Sequence, residues 1–127
     1  MQLDLILIPE TELPLLSRFD GHEPLRGELE RAIVVSDEAM PSDVVTMYSR
    51  VVYVDERTGA EREVVLVYPS QADAAAGRVS VLAPVGTALL GLSAGQSIEW
   101  PFPDGSVRRL HVKAVVQPGA DVSRDSL

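Results

Sequence analysis

Cysteine is absent from this chain, which removes disulfides and thiolate metal sites from consideration and suits a reducing compartment, so a cytoplasmic location is expected. Histidine is scarce. Only His22 and His111 occur, and neither has a ligand-type residue at the i+3 or i+4 spacing that lines up metal ligands on a helix, so a structural or surface role is expected for each. No Gly-x-Ser-x-Gly elbow, P-loop or dinucleotide fingerprint is present; Gly86, Gly91 and Gly95 are spaced for capping and turning rather than for cradling phosphate. Long hydrophobic runs are also missing. Leu5 to Ile8 is bounded by Asp4 and Pro9 and lacks the basic flank and small-residue cleavage site of a secretory signal, and no segment approaches the roughly 20 apolar residues of a membrane span. No cofactor, metal or membrane partner is therefore expected.

Basic residues are in deficit, and the deficit is local. The net charge is −8 over 127 residues. Residues 1–43 hold ten acids against Arg18, Arg26 and Arg31, whereas residues 44–117 hold seven charges of each sign. Phosphate backbones repel such an acidic segment, so direct sequence-specific binding of nucleic acid is not expected. The apolar content of 46% suffices for one ordinary core. The chain divides into a short acidic arm (1–43), a main domain (44–117) and a polar tail (118–127) expected to fray.

Within the arm, Leu5 to Ile8 reads as a short strand, and Pro9 to Glu12 carries the proline and acids of a helix start. Leu13, Leu16 and Phe19 repeat at helical spacing, residues 20–24 form a turn, and a second helix begins near Leu25 with Leu25, Leu29, Ala32 and Ile33 on one face. The two helices, about ten residues each and about 15 Å long, are expected to pack their apolar stripes together as a hairpin. Beyond Met40-Pro41 the period changes to two. Thr46 to Val54 and Glu61 to Tyr68 flank a turn containing Gly59, and residues 71–77 form a crossover. Arg78 to Leu82 leads into a helix opened by Pro84 and stopped at Gly91, with Val85, Leu89 and Leu90 as its apolar stripe. Ser97 to Phe102 and Ser106 to Val116 form a second hairpin whose last strand alternates, Leu110, Val112, Ala114 and Val116 on one side and Arg109, His111 and Lys113 on the other. The sum is an α+β domain: an antiparallel sheet with one packed helix, preceded by a short helical hairpin.

The segment from Arg78 to Trp100, with its strand, Leu82-Ala83-Pro84-Val85 corner and Gly91 stop, resembles the C-terminal domain of the bacterial Gre transcript-cleavage factors. Glu38 to Ser49 and Val64 to Pro69 look like the regulator of nucleoside diphosphate kinase family, short-armed relatives of Gre. The resemblance covers roughly residues 38 to 117. It implies an FKBP-like fold and an RNA polymerase partner, with Leu82, Ala83, Pro84 and Val85 at the position of the Gre loop that grips the mouth of the polymerase secondary channel. Pro84 and Val85 are needed equally to start and seat the helix, and both roles can hold.

In Gre factors, acids at the arm tip help hold the second catalytic magnesium. Asp20 and Glu23 are the corresponding acids here, on an arm too short to go that deep; sharing of a hard cation and simple turn chemistry are both open for the pair. Relative to the family pattern, the arm is short and Tyr48 stands where a small polar residue, commonly Asn, is expected. The resemblance implies a non-enzymatic regulator that binds RNA polymerase and competes with Gre-type factors without stimulating RNA cleavage. The alternatives are a general protein-interaction module with another partner, and a prolyl isomerase, which the FKBP-like fold raises. The isomerase is disfavoured because the six aromatics, Phe19, Tyr48, Tyr53, Tyr68, Trp100 and Phe102, are hard to bring into one closed pocket.

Overall fold

The computed structural model describes residues 6–118. Of the tail expected to fray, residues 119–127 lie outside the described residues, as does Leu5.

The chain opens with strand β1 (Leu7–Pro9), helices α1 (Leu13–Ser17) and α2 (Leu25–Arg31), and strand β2 (Ile33–Val35). β2 pairs in parallel with β1, Leu7 opposite Ile33, making a two-stranded sheet closed by the helices. Here the structure corrects the sequence. Ile33 does not continue the helical face: α2 stops at Arg31, Ala32 turns extended (φ −71°, ψ 148°), and the β-branched run Ile33-Val34-Val35 takes a strand. Branching at Cβ disfavours a helical turn and suits a pleated one. The helices have five and seven residues instead of ten. Their stripes also do not simply face each other, because Leu16 and Leu25 are fully buried together with Ile6 and Ile8 in the same apolar cluster as the main sheet.

That sheet has the order β5-β4-β3-β7-β6, formed by β3 (Arg50–Asp55), β4 (Ala60–Val67), β5 (Arg78–Ser80), β6 (Ser97–Pro101) and β7 (Val107–Val116). Four strands pair antiparallel as expected. β5 lies parallel to β4 at the edge, since residues 68–77 form a crossover with two short 3₁₀ turns rather than a hairpin. The first long strand starts at Arg50 and not at Thr46. Tyr48 has φ +67°, and Thr46 to Ser49 close a turn in which the Thr46 amide donates to Ser49 Oγ at 2.9 Å.

The alternation of β7 needs a second correction. Val52 pairs with Ala114 but Tyr53 pairs with Val112, so Lys113 is the extra residue of a bulge. Leu110 and Val112 face the core as expected; past the bulge the faces exchange, Ala114 is exposed and Val115 packs on the core.

Helix α3 (Pro84–Leu89) covers the inner face. Leu89 and Leu90 are each 1% exposed, and Gly91 ends the helix at φ +81°, as its position in the sequence predicts. Glycine is required at Gly86, where a Cβ would lie 2.0 Å from the Ser80 carbonyl oxygen. At Gly91 a Cβ would meet Ile6 Cγ2 at 2.3 Å, and the Leu7 amide donates to the Gly91 carbonyl at 3.1 Å. The first strand is thereby fixed to the end of α3.

Candidate docking site

Ser80 builds the corner that carries Leu82 to Val85. Its Oγ accepts from the Leu82 amide at 3.0 Å and its carbonyl from the Ala83 amide at 3.0 Å, which turns the chain out of β5. Ala83 stands extended ahead of α3, and Pro84 takes the first helical position, where a missing N–H leaves nothing unsatisfied. Thr87, fully buried, donates its hydroxyl to the Val81 carbonyl at 2.5 Å and lies 3.1 Å from that of Ala83, so the corner is held from below. All four residues, Leu82 to Val85, are half-buried.

Leu82 and Pro84 form one wall of an open groove of about 530 Å³, and Trp100, Phe102 and Pro103 form the other. Pro24 and Glu23, from the turn between α1 and α2, close its end. The arm turn and the 82–84 corner, sixty residues apart in sequence, therefore share one surface. Leu82, Trp100 and Phe102 with four rigid prolines make it largely apolar, with a carboxylate at the rim. Val85 does not belong to the groove; it lines a smaller cavity with Tyr53 and Arg108.

Asp20 is not brought into the groove with Glu23. It lines a separate depression between α1 and α2, beside Arg26 and Glu30. Both acids are exposed, and no group of residues able to hold a metal ion occurs among the described residues. His22 is exposed next to Phe19, and His111 Nδ1 lies 2.8 Å from Ser97 Oγ on the outer face of the sheet.

Tyr53 lines the smaller cavity, and the other five aromatics separate into two groups. Phe19 stacks on Tyr68 with ring centroids 6.1 Å apart, and Tyr48 meets Tyr68 edge-on at 5.9 Å while donating its hydroxyl to Gln71 Oε1 at 2.7 Å. Trp100 and Phe102 stand in the groove. The first group ties α1 to the sheet, and Glu12 reinforces it. Glu12 Oε1 accepts from the Met47 amide at 3.1 Å. Burial pushes the Glu12 carboxyl up from its ordinary 4.5 to about 7; the Met47 hydrogen bond opposes this and the Asp37 charge adds to it. Burial, with help from Glu12 and Tyr48, raises the Tyr68 phenol to about 12.

Sequence reasoning missed Trp100, Phe102 and Pro103 as groove residues. The signal available was the Pro101-Phe102-Pro103 string, an unusual density of rigid apolar residues at a hairpin turn.

Comparison with known proteins bears on this surface. Residues 40–117 match the family model described as transcription elongation factor, GreA/GreB, C-terminal. The chain is 41% identical over 111 residues to the regulator of nucleoside diphosphate kinase of Escherichia coli strain K12, covering 87% of this chain and 79% of that protein. It is 39% identical over 82 residues to the transcription elongation factor GreA of Azorhizobium caulinodans, covering 65% of this chain and 52% of that protein. The solved prokaryotic transcription elongation factor GreA/GreB from Nitrosomonas europaea superimposes with a TM-score of 0.70 at 38% identity, covering 91% of this chain and all of that one.

Proposed function

Because the chain belongs to the GreA/GreB C-terminal family of transcription elongation factors, we propose that it is a non-enzymatic transcription regulator that binds RNA polymerase near the secondary channel and competes there with Gre-type factors without stimulating transcript cleavage. The observation that carries this reading is the groove itself. A shallow apolar trough with aromatic anchors and a single acidic rim residue suits a protein partner far better than a small polar substrate. Residues 1–43 act as an acidic stub beside it, and the protein works in the cytoplasm.

The dimensions of the arm support this reading. α1 and α2, at five and seven residues, are only about 8 and 10 Å long at 1.5 Å per residue. Their buried leucines belong to the main core, so the turn bearing Asp20 and Glu23 stays close to the domain. A carboxylate assists a catalytic magnesium only at coordination distance, about 2.1 Å.

Co-purification with core polymerase tests the docking surface. Leu82→Glu places an unpaired charge in an apolar contact and is expected to abolish binding while the circular dichroism spectrum stays native; undiminished binding would move the interface elsewhere. Arrested elongation complexes test the regulatory half: the protein alone is expected to give no added cleavage and to reduce cleavage elicited by a Gre factor.

A further inference from the structure

Phe102 is shared between the docking groove and a smaller, more enclosed cavity of about 120 Å³ at the end of β3 and β4, beneath the first turn of α3. Its chemistry differs from that of the groove. Arg108 spans one side with its guanidinium 4.6 Å from the centre of the Phe102 ring, Nη1 3.4 Å from Asp55 Oδ2 and Nη2 3.7 Å from Asp104 Oδ2. Its Nε is buried and has no hydrogen-bond partner. A buried donor left unpaired is costly, and a ligand supplying an acceptor there recovers that cost.

Two further donors lie beside it. Tyr53 is 5% exposed, lines the cavity, and its hydroxyl has no hydrogen-bond partner among the described residues. Burial holds this phenol above its usual range, so it keeps its proton to donate. Arg62 is directly opposite Tyr53 in the β3–β4 register and forms no ion pair among the described residues.

The carboxylate in the lining, Asp55, is already engaged. Its Oδ1 accepts from the Arg57 amide at 3.0 Å and its Oδ2 faces Arg108. The cavity therefore offers unpartnered donors, and its two guanidinium groups outweigh one carboxylate within a chain of net charge −8. Its remaining walls, Val85 and Leu110 with the Phe102 ring, are apolar. Its volume equals roughly four waters' share of liquid. That is room for a carboxylate and a short hydrocarbon stem.

We propose that this cavity is a binding site for a single carboxylate on a short apolar stem, received by Arg108 Nε–H, the Tyr53 hydroxyl and Arg62, with the stem against Val85, Leu110 and Phe102. Charge-assisted bonds from guanidinium groups favour a carboxylate over a neutral carbonyl. The carboxylate can come from a free organic acid or from a polypeptide C-terminus, and the site does not depend on the polymerase reading.

The test follows the Arg108 Nε–Hε resonance of the full chain by NMR, assigned through its loss in Arg108→Lys, during titration with propionate and separately with propionamide. Propionate is expected to shift the resonance saturably and propionamide is not. Tyr53→Phe and Arg62→Gln, with native circular dichroism, are each expected to bind propionate about tenfold more weakly, the loss of one hydrogen bond to a charged group. A short peptide with a free C-terminus and its amidated form separate the sources. Tighter binding of the free-acid peptide than of propionate assigns a polypeptide ligand, and weaker binding assigns a small acid. No saturable shift with propionate, an equal response to propionamide, or unchanged affinity in both variants would overturn the proposal.

Discussion

Replacing Glu12 by Gln isolates the energetic consequence of seating a carboxyl between α1 and the sheet. Glutamine keeps a carbonyl oxygen for the Met47 amide and removes the charge that burial and Asp37 disfavour. In the folded protein this carboxyl titrates at about 7, against an ordinary 4.5. Between those values the folded state holds a proton that the unfolded state has released, so the stabilising contribution is complete below pH 4.5 and is lost as pH rises through 7.

A fully desolvated group with that shift would account for about 3.4 kcal/mol at 1.36 kcal/mol per pH unit. Glu12 is only partly buried, and solvent screening reduces the expected figure to about 1–2 kcal/mol. For a chain of this size that is roughly 3–8 °C in melting temperature. Thermal melts followed by circular dichroism at pH 4 and pH 8 read it out. The variant is expected to match the wild type at pH 4 and to melt higher at pH 8. Parallel pH profiles for the two proteins would refute the placement of Glu12 described above.

Leu89→Ala is expected to cost about 2–5 kcal/mol in chemical denaturation, from lost burial plus the cavity left beneath α3; a midpoint that barely moves would show that α3 is not seated by this residue. Gly86→Ala forces a methyl against the Ser80 carbonyl and is expected to destabilise by about 3 kcal/mol or more, measured the same way. The arm acids are expected to differ in polymerase co-purification: Glu23→Ala weakens binding modestly and makes it less sensitive to salt, whereas Asp20→Ala, outside the groove, leaves it unchanged.

Elements marked by local backbone chemistry were legible in the sequence. Pro84 and Gly91 bracket α3 because one lacks an N–H and the other accepts positive φ, and Gly59 marks the β3–β4 turn for the same reason. The bulge at Lys113 left only a faint trace: alternation runs cleanly from Arg109 to Ala114 and breaks at apolar Val115, and pairing with β3 reveals which residue is skipped. Ile33 misled because an apolar residue four places after Leu29 fits a helix as well as a strand, and its pairing with Leu7 decides the matter from a distance. The site was half legible. Leu82 and Pro84 were identified through the family resemblance, but the opposing wall at Trp100 to Pro103 and the closing turn at Glu23-Pro24 come together only through long-range packing. The cavity around Arg108 was invisible, since an unpaired Nε is a property of geometry and not of residue type.

The hydrogen bond from Leu7 to Gly91 has a consequence for how the chain acquires its structure during synthesis. Ile6 and Ile8 have Leu16 and Leu25 nearby in sequence, but Ile6 meets Gly91 only after more than eighty further residues have been made. β6 must wait longer still, because β7 is inserted between it and β3. Native contacts of such wide sequence separation place the loop-closure cost ahead of the reward, which makes folding slow relative to helical proteins of this size. A nascent chain halted before Val107 would carry an unfilled interior strand position between β3 and β6, a form suited to chaperone capture rather than to partial function.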